Sequence, residues 1–451
     1  MFWPDDYLSR VARQIRVTRI RGPLIAELRD HMLLQKADYL SEGLSEAEAE
    51  RRTSEDMGDA LLVGGALDAA HRPKSQWRGL GLAALIMLLG LGLQFWCETL
   101  AGCAPLPVFD SPNLIGAAAA VAALALFAFT DYTLWVRWSL PACIVWLAMT
   151  AQRLWIWVAF DQGPLTGPGM RFLLSPLLLL AVPQVLAVAV PTVTALLACQ
   201  LRGRGWNALA LCMLPTLAIM LLSWLHRSSG YEPAACMLMA AVSLAALALA
   251  VAQGFFKVRR APTLAVLGLL AALALGFCAW RAVPDVAAQT GPDGPAELVR
   301  RLLAGSRIVG RGAPISQIDA VFPGFLDGYA THQYLFPAVV ALCGWLPFAA
   351  LLTGLAGLLA WCWRRFARLE NRMGGLLGQA ATLTLAVQTA LYLPASFGLI
   401  SQQLCLPLLG NGSTMLVVDA ALVGVMLGVL RGQNLPEAPL TQRHPKHAVM
   451  G

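Results

Sequence analysis

The chain has 451 residues, 58% of them hydrophobic and 13% charged, with a mean hydropathy of +0.63. A soluble domain carries roughly twice that charged fraction, so a soluble enzyme or binding module is excluded. The formal charge of +7 does not point to nucleic acid, because the basic residues sit in short loops between apolar runs, where the positive-inside rule places them.

Those runs recur at about 20 residues, long enough to cross a bilayer as helices. Inside lipid the backbone must satisfy its own hydrogen bonds, and the short alternating segments of a barrel are absent. The expected class is therefore all-α: a polytopic membrane protein with about ten transmembrane helices and a small soluble helical N-terminal domain.

Residues 1–72 read as that separate helical unit. Pro23 marks a helix start, and Leu24, Ile25, Leu28 and Met32 give the helix an apolar face. Gly43 is a stop signal, and Ser45 with Glu48 forms a capping box that opens the next helix. Gly58 ends that helix, and Asp59 caps another. A unit of this size is marginal alone and needs the membrane or a partner to lean on.

The first apolar run begins near Gly79, too late for a cleavable signal peptide, so the first span is expected to act as its own insertion signal. Ten spans are predicted at 79–97, 113–130, 138–158, 173–199, 205–225, 233–252, 262–280, 335–361, 375–400 and 413–430. Arg72, Lys74 and Arg78 precede the first; Arg137, Arg202, Arg204, Lys257, Arg259 and Arg260 fall in alternate loops. Arg364, Arg365, Arg368 and Arg372 follow the eighth span, and Arg431, Arg443 and Lys446 follow the tenth. This alternation predicts both termini, including the tail 433–451, on the cytoplasmic side.

Arg153, inside the third span, reads either as a snorkelling side chain or as a buried functional charge, the former favoured by Trp155 and Trp157 beside it. Cys97 and Cys103 could pair on the outer side, or act as small apolar residues. With no CxxC, Cys/His cluster or HExxH, no metal site is expected.

The interval 281–334 is the long polar loop of the chain and is predicted to face outward. A long loop pinned between two spans is usually functional. It carries Glu297, Arg300, Arg301, Arg307, Arg311, Asp319 and Asp327, and ends Gly328-Tyr329-Ala330-Thr331-His332-Gln333-Tyr334. Arg307 and Arg311, with Arg300 and Arg301, could grip a pyrophosphate. Arg300 and Arg301 with Glu297 equally fit a solvated amphipathic helix. Asp419, an acid inside the tenth span, is by default a functional residue. The competing reading is a structural hydrogen bond to the helix that carries Gln388.

The stretch Cys405-Leu406-Pro407-Leu408-Leu409-Gly410-Asn411-Gly412-Ser413-Thr414 resembles the Pro-Phe-x-Ser-Tyr-Gly-Gly-Ser segment of the SEDS family, the shape, elongation, division and sporulation proteins. Pro407, Gly412 and Thr414 match it; Gln388 matches a family glutamine, Tyr392 replaces an asparagine, and Asp419 stands where the family often has asparagine. Phe336 and Gly344-Trp345 align with the eighth span. The resemblance covers 79–432. Gly43 to Glu50, Asp56 to Asp59 and His71-Arg72-Pro73 resemble a permease-prefix helical domain.

The resemblance implies a multi-pass protein of the bacterial cytoplasmic membrane with a large outer loop. It implies a role in division, elongation or sporulation, as a peptidoglycan glycosyltransferase that polymerises lipid II. It also implies a polyprenyl-pyrophosphate-linked precursor as ligand, contact with membrane lipids, and a class B penicillin-binding protein as partner. The family's essential carboxylate serves as a base or holds a cation, so a divalent cation is the one cofactor the resemblance admits. Counted back from Phe336, that carboxylate position is Gln333, and an amide neither takes up a proton in this range nor carries charge. The polar residues of the family's fourth span are reduced to Val182-Pro183-Gln184-Val185. Two readings stay open: Asp327, Asp319 or His332 takes over the work, or the protein has become a non-catalytic scaffold or regulator. A transporter of lipid-linked precursors is a further alternative. It is disfavoured because the spans hold few ionisable groups for ion coupling.

Overall fold

The structure is a computed structural model that describes residues 4–101, 111–156, 183–225, 233–290, 295–312, 335–400, 406–409 and 413–434. Among them all regular structure is helical. The chain divides into two compact units, Met1–Ser75 with Arg431–Gly451, and Gln76–Leu430.

The first unit holds α1 (Asp5–Gln14), α2 (Thr18–Ser41), α3 (Glu46–Met57) and α4 (Ala60–Ala70). Its core is Val11, Ile15, Ile20, Leu24 and Ala60. Helix α2 starts at Thr18, ahead of the expected start at Pro23, which lies inside it. Burial of Ile20, 1% exposed, outweighs the one helical hydrogen bond that an internal proline removes. The capping signals behave as their chemistry requires: Ser45 Oγ accepts from the Glu48 N–H at 3.4 Å, and Asp59 Oδ1 from the Leu61 N–H at 2.9 Å. Lys36 joins α2 to α3 through Glu46 at 2.8 Å and Glu50 at 2.6 Å.

The second unit runs α5 (Trp77–Ala101), α6 (Ser111–Phe129), α7 (Tyr132–Arg137), α8 (Ser139–Ile156), α9 (Pro183–Gln200), α10 (Trp206–Leu225), α11 (Pro233–Ala252) and α12 (Arg260–Gln289). It continues with α13 (Pro295–Leu303), α14 (Leu335–Cys343), α15 (Trp345–Ala367), α16 (Arg372–Ser396) and α17 (Ser413–Arg431). Seven helices among the described residues are long and apolar enough to cross a membrane by length and composition: α5, α10, α11, α12, α15, α16 and α17. The shorter apolar helices α6, α8 and α9 fall in the second, third and fourth expected spans. The chain is an all-helical polytopic membrane protein.

Two elements differ from the sequence-based expectation. Helix α12 continues to Gln289, several residues into the interval read as loop. The eighth apolar interval, expected as one helix, breaks at Gly344 into α14 and α15. The two pieces have opposite surroundings: α14 is buried almost throughout, whereas only 6% of the apolar window of α15 is buried.

Between helices, small and hydroxyl residues do much of the joining. Without a hydrophobic drive between helices in lipid, close backbone approach and shared hydrogen bonds hold them together. Ser243 of α11 bonds to Thr194 of α9 at 2.8 Å and to Thr216 of α10 at 2.7 Å, all three buried. Helix α17 carries Gly424 and Gly428, and α6 lies so close that a Cβ on Gly428 would come within 2.6 Å of the Phe127 carbonyl.

Candidate functional site

Four elements meet around one short turn, Leu406–Leu409. Helix α5 presses on it from one side. A Cβ on Gly90 would lie 2.7 Å from the Leu409 Cα and 2.8 Å from its carbonyl oxygen, so this approach requires glycine. One turn further along α5, Gln94 is fully buried and its Nε2 donates to the Leu409 carbonyl at 2.6 Å.

Leu408 adopts φ +60, a left-handed conformation that costs a branched residue about 1–3 kcal/mol. The turn is held there by burial of Pro407 and Leu408 and by the Leu409 N–H donating to the Leu406 carbonyl at 3.2 Å. The Leu408 backbone lies beside the Asp419 carboxylate.

Asp419 of α17 is 1% exposed. Gln388 of α16, also fully buried, donates from Nε2 to Asp419 Oδ2 at 3.2 Å. The structural hydrogen bond weighed for this aspartate is therefore present. Asp419 Oδ1 and Gln94 Oε1 have no hydrogen-bond partner among the described residues. Buried acceptors without donors are costly, and few survive in a native fold without an explanation. Two of them sit beside the Leu406–Leu409 turn here.

The ends of the long loop are anchored beside this seam. At its C-terminal end, the Leu335 N–H donates to the Tyr392 hydroxyl at 3.2 Å, one helical turn from Gln388. Phe336 stacks edge-on against Tyr392 and Phe348, each with ring centroids 5.2 Å away. At its N-terminal end, α13 leads into residues 307–312, which fill the break at Gly344. The Gly310 N–H donates to the Cys343 carbonyl at 2.7 Å and the Gly312 N–H to the Ala341 carbonyl at 3.0 Å. In return the Trp345 and Leu346 N–H groups donate to the Arg307 and Ile308 carbonyls at 3.1 and 2.9 Å. Gly344 has φ +102, and a Cβ there would lie 2.6 Å from the Ile308 carbonyl oxygen. Irregular backbone is tolerated in a membrane bundle when protein satisfies its polar groups, and this exchange of four bonds does so.

Arg307 and Arg311 are both exposed on this bridge, on either side of the exposed Ile308 and Val309. Arg300 and Arg301 are tied to Glu297 of their own helix, Arg300 Nε at 2.6 Å and Arg301 Nε at 3.0 Å. Those two arginines hold the Glu297 carboxyl down at about 2. Of the residues singled out by sequence, the structure joins Gln388, Asp419 and the turn of Pro407. Thr414, half-buried, opens α17 a turn and a half before Asp419. Asp319, Asp327, His332, Gln333, Gly412 and Cys103 lie outside the described residues, as do the side chains of Arg153 and Cys97. Gln94 was not singled out; a lone glutamine within an otherwise apolar first span is the signal that marks it.

No family model matches the chain, and no curated protein does. A solved structure reported as "Structural coordination of polymerization and crosslinking by a peptidoglycan synthase complex" contains a chain of similar fold. The likeness has a TM-score of 0.51 at 18% identity, spanning 79% of this chain and 97% of that one. At that identity the likeness is one of fold.

Proposed function

We propose that this protein is a SEDS-like member of a peptidoglycan synthase assembly that binds a lipid-linked glycan precursor without polymerising it. The observation that carries the reading is the buried seam of Gln94, Gln388 and Asp419 around the Leu406–Leu409 turn. It lies where the long polar loop is anchored, in a fold similar to a chain of a peptidoglycan synthase complex.

The chemistry is consistent. Arg307 and Arg311, exposed at the break in the eighth interval, suit the pyrophosphate of a polyprenyl carrier such as lipid II. Gln333 at the family's carboxylate position removes the base or cation ligand on which polymerisation would depend, so a divalent cation has no role in this reading. Assembly with a class B penicillin-binding protein supplies the synthase context. In this reading the basic loops, by the positive-inside rule, put both termini and the 1–72 prefix on the cytoplasmic side of a bacterial membrane and the long loop on the outer side.

Binding of fluorescent lipid II to the purified full-length protein in nanodiscs tests this reading. Wild type should bind, and Arg307→Gln/Arg311→Gln should weaken binding at least tenfold, a change of about 1.4 kcal/mol. Equal binding by both proteins would overturn the assignment of the arginines. No binding by either would overturn the function.

A further inference from the structure

At the opposite end of α16 from the seam, a pocket of about 370 Å³ opens between the end of α11, the start of α12 and the α15–α16 turn. Arg260 and Arg372, both exposed, line it with Gln253 and the buried Gln379. Arg372 donates to the Gln253 carbonyl at 3.2 Å, and Gln253 Nε2 to Gln379 Oε1 at 3.1 Å. Among the described residues no acid lines this pocket; Glu370, in the same turn, is exposed and outside it.

A second cavity, of about 420 Å³ and almost wholly apolar, runs between α15 and α16. On α16 the two share one stripe: Gly375 and Gln379 line the polar pocket, and Thr382, Ala386, Thr389 and Leu393 line the apolar one. Steps of three and four residues keep these positions on one helix face. On α15 the same holds for Leu352, Ala356, Ala360 and Trp363, which lead to Phe366 in the polar pocket. The Phe366 ring sits against Gly378, where a Cβ would meet it at 2.0 Å. The two pockets lie in succession along α15 and α16 and together form the candidate groove.

Its dimensions fit one kind of occupant. From Thr382 to Leu393 the apolar part is about 16 Å long at 1.5 Å per residue. A single leaflet of hydrocarbon is about 15 Å thick, half of the ~30 Å core. Helix α15, which forms one wall, leaves nearly all of its apolar face unburied by protein.

We propose that this groove binds an anionic phospholipid of the leaflet at the basic end of the bundle, its phosphate between Arg260 and Arg372 and one acyl chain along α15 and α16. Two guanidinium groups with no acid among the lining residues supply the charge complementarity. The apolar stripe supplies the chain-length contact that a free anion could not use. This site is separate from the seam and does not rest on the function proposed for it.

Native mass spectrometry of the purified full-length protein, titrated with dioleoyl phosphatidylglycerol, dioleoyl phosphatidylcholine or sn-glycerol 3-phosphate, tests the proposal. Phosphatidylglycerol should bind at least tenfold more tightly than phosphatidylcholine. Arg260→Gln/Arg372→Gln should abolish that preference, while Arg204→Gln, a basic substitution outside the pocket, should leave it. Ala360→Trp, at an exposed position on the groove wall, should weaken phosphatidylglycerol several-fold and serves as the independent variant should the double arginine change impair folding. Equal binding of the two phospholipids to wild type would overturn the proposal. So would phosphatidylglycerol binding unchanged in Ala360→Trp, or glycerol phosphate binding as tightly as the lipid, which would mark a soluble-anion site.

Discussion

Gln94 carries the buried side-chain bond that ties α5 to the Leu406–Leu409 turn. Its Nε2 is the donor to the Leu409 carbonyl inside the bundle, and an orphaned buried carbonyl costs about 1–3 kcal/mol. Gln94→Leu is therefore expected to lower the thermal midpoint of the detergent-solubilised protein by several degrees; a midpoint unchanged within error would show the turn finding another donor. Glu297 gives a test by pH. Its carboxyl titrates near 2 instead of 4.5 because Arg300 and Arg301 hold it ionised. A depressed folded-state value means the contribution to α13 is complete above about 4.5 and is lost as pH falls toward 2. Carboxyl-carbon NMR titration of Glu297 should show the low midpoint in wild type and a rise toward 4.5 in Arg300→Gln/Arg301→Gln. At this scale the sequence was informative for Asp419 and Gln388, because an acid in an apolar span stands out. It was silent on the left-handed turn beside Asp419, because a left-handed leucine has no sequence signature.

At the scale of elements, periodicity and capping chemistry set most of the boundaries. Ser45, Gly58 and Asp59 mark helix ends in the sequence and occupy those ends in the structure. The misplaced start of α2 and the omitted α1 share one cause. Val11 and Ile15 bury themselves against Ile20, and such tertiary burial is not visible in a local reading around Pro23. The break between α14 and α15 was hidden because Leu335 to Trp363 carries no charge on either side of it, and hydropathy does not report φ. Gly344 carries that break. Gly344→Ala must place a side chain at φ +102 and within 2.6 Å of the Ile308 carbonyl. The expected result is faster hydrogen exchange at the Gly310, Gly312, Trp345 and Leu346 amides, by at least tenfold, with the amides of α11 unchanged. Unaltered exchange at those four amides would show that the bridge does not depend on the glycine. In the N-terminal unit, Asp59→Ala should destabilise α4 by about 0.5–2 kcal/mol through loss of the Leu61 cap, read as a lower urea midpoint for the loss of far-ultraviolet circular dichroism from that unit.

For the whole molecule, the class was legible from composition, because a chain that is 58% hydrophobic with recurrent 20-residue apolar runs has few folds open to it. Ten apolar intervals gave ten helical intervals in the described residues, with the eighth divided. What composition could not supply was the inter-helix contact pattern, since in lipid it is set by small residues and buried hydroxyls rather than by hydrophobicity. Gly424 and Gly428, four residues apart, are such a signal, as is Ser243 within α11. The molecule places a buried polar seam and an anchored loop near one end of α16, and a basic, lipid-sized groove at the other.

The central claim is that this fold keeps a precursor-binding seam while Gln333 has removed the polymerase chemistry. Glycan polymerisation from lipid II by the purified protein, alone and with a class B penicillin-binding partner, tests it most directly. Wild type, Gln333→Asp and Asp327→Ala would be compared side by side. The account predicts no polymer from wild type or Asp327→Ala, and measurable polymer from Gln333→Asp. Polymer from wild type that disappears in Asp327→Ala would contradict it, and would assign the catalytic carboxylate to Asp327.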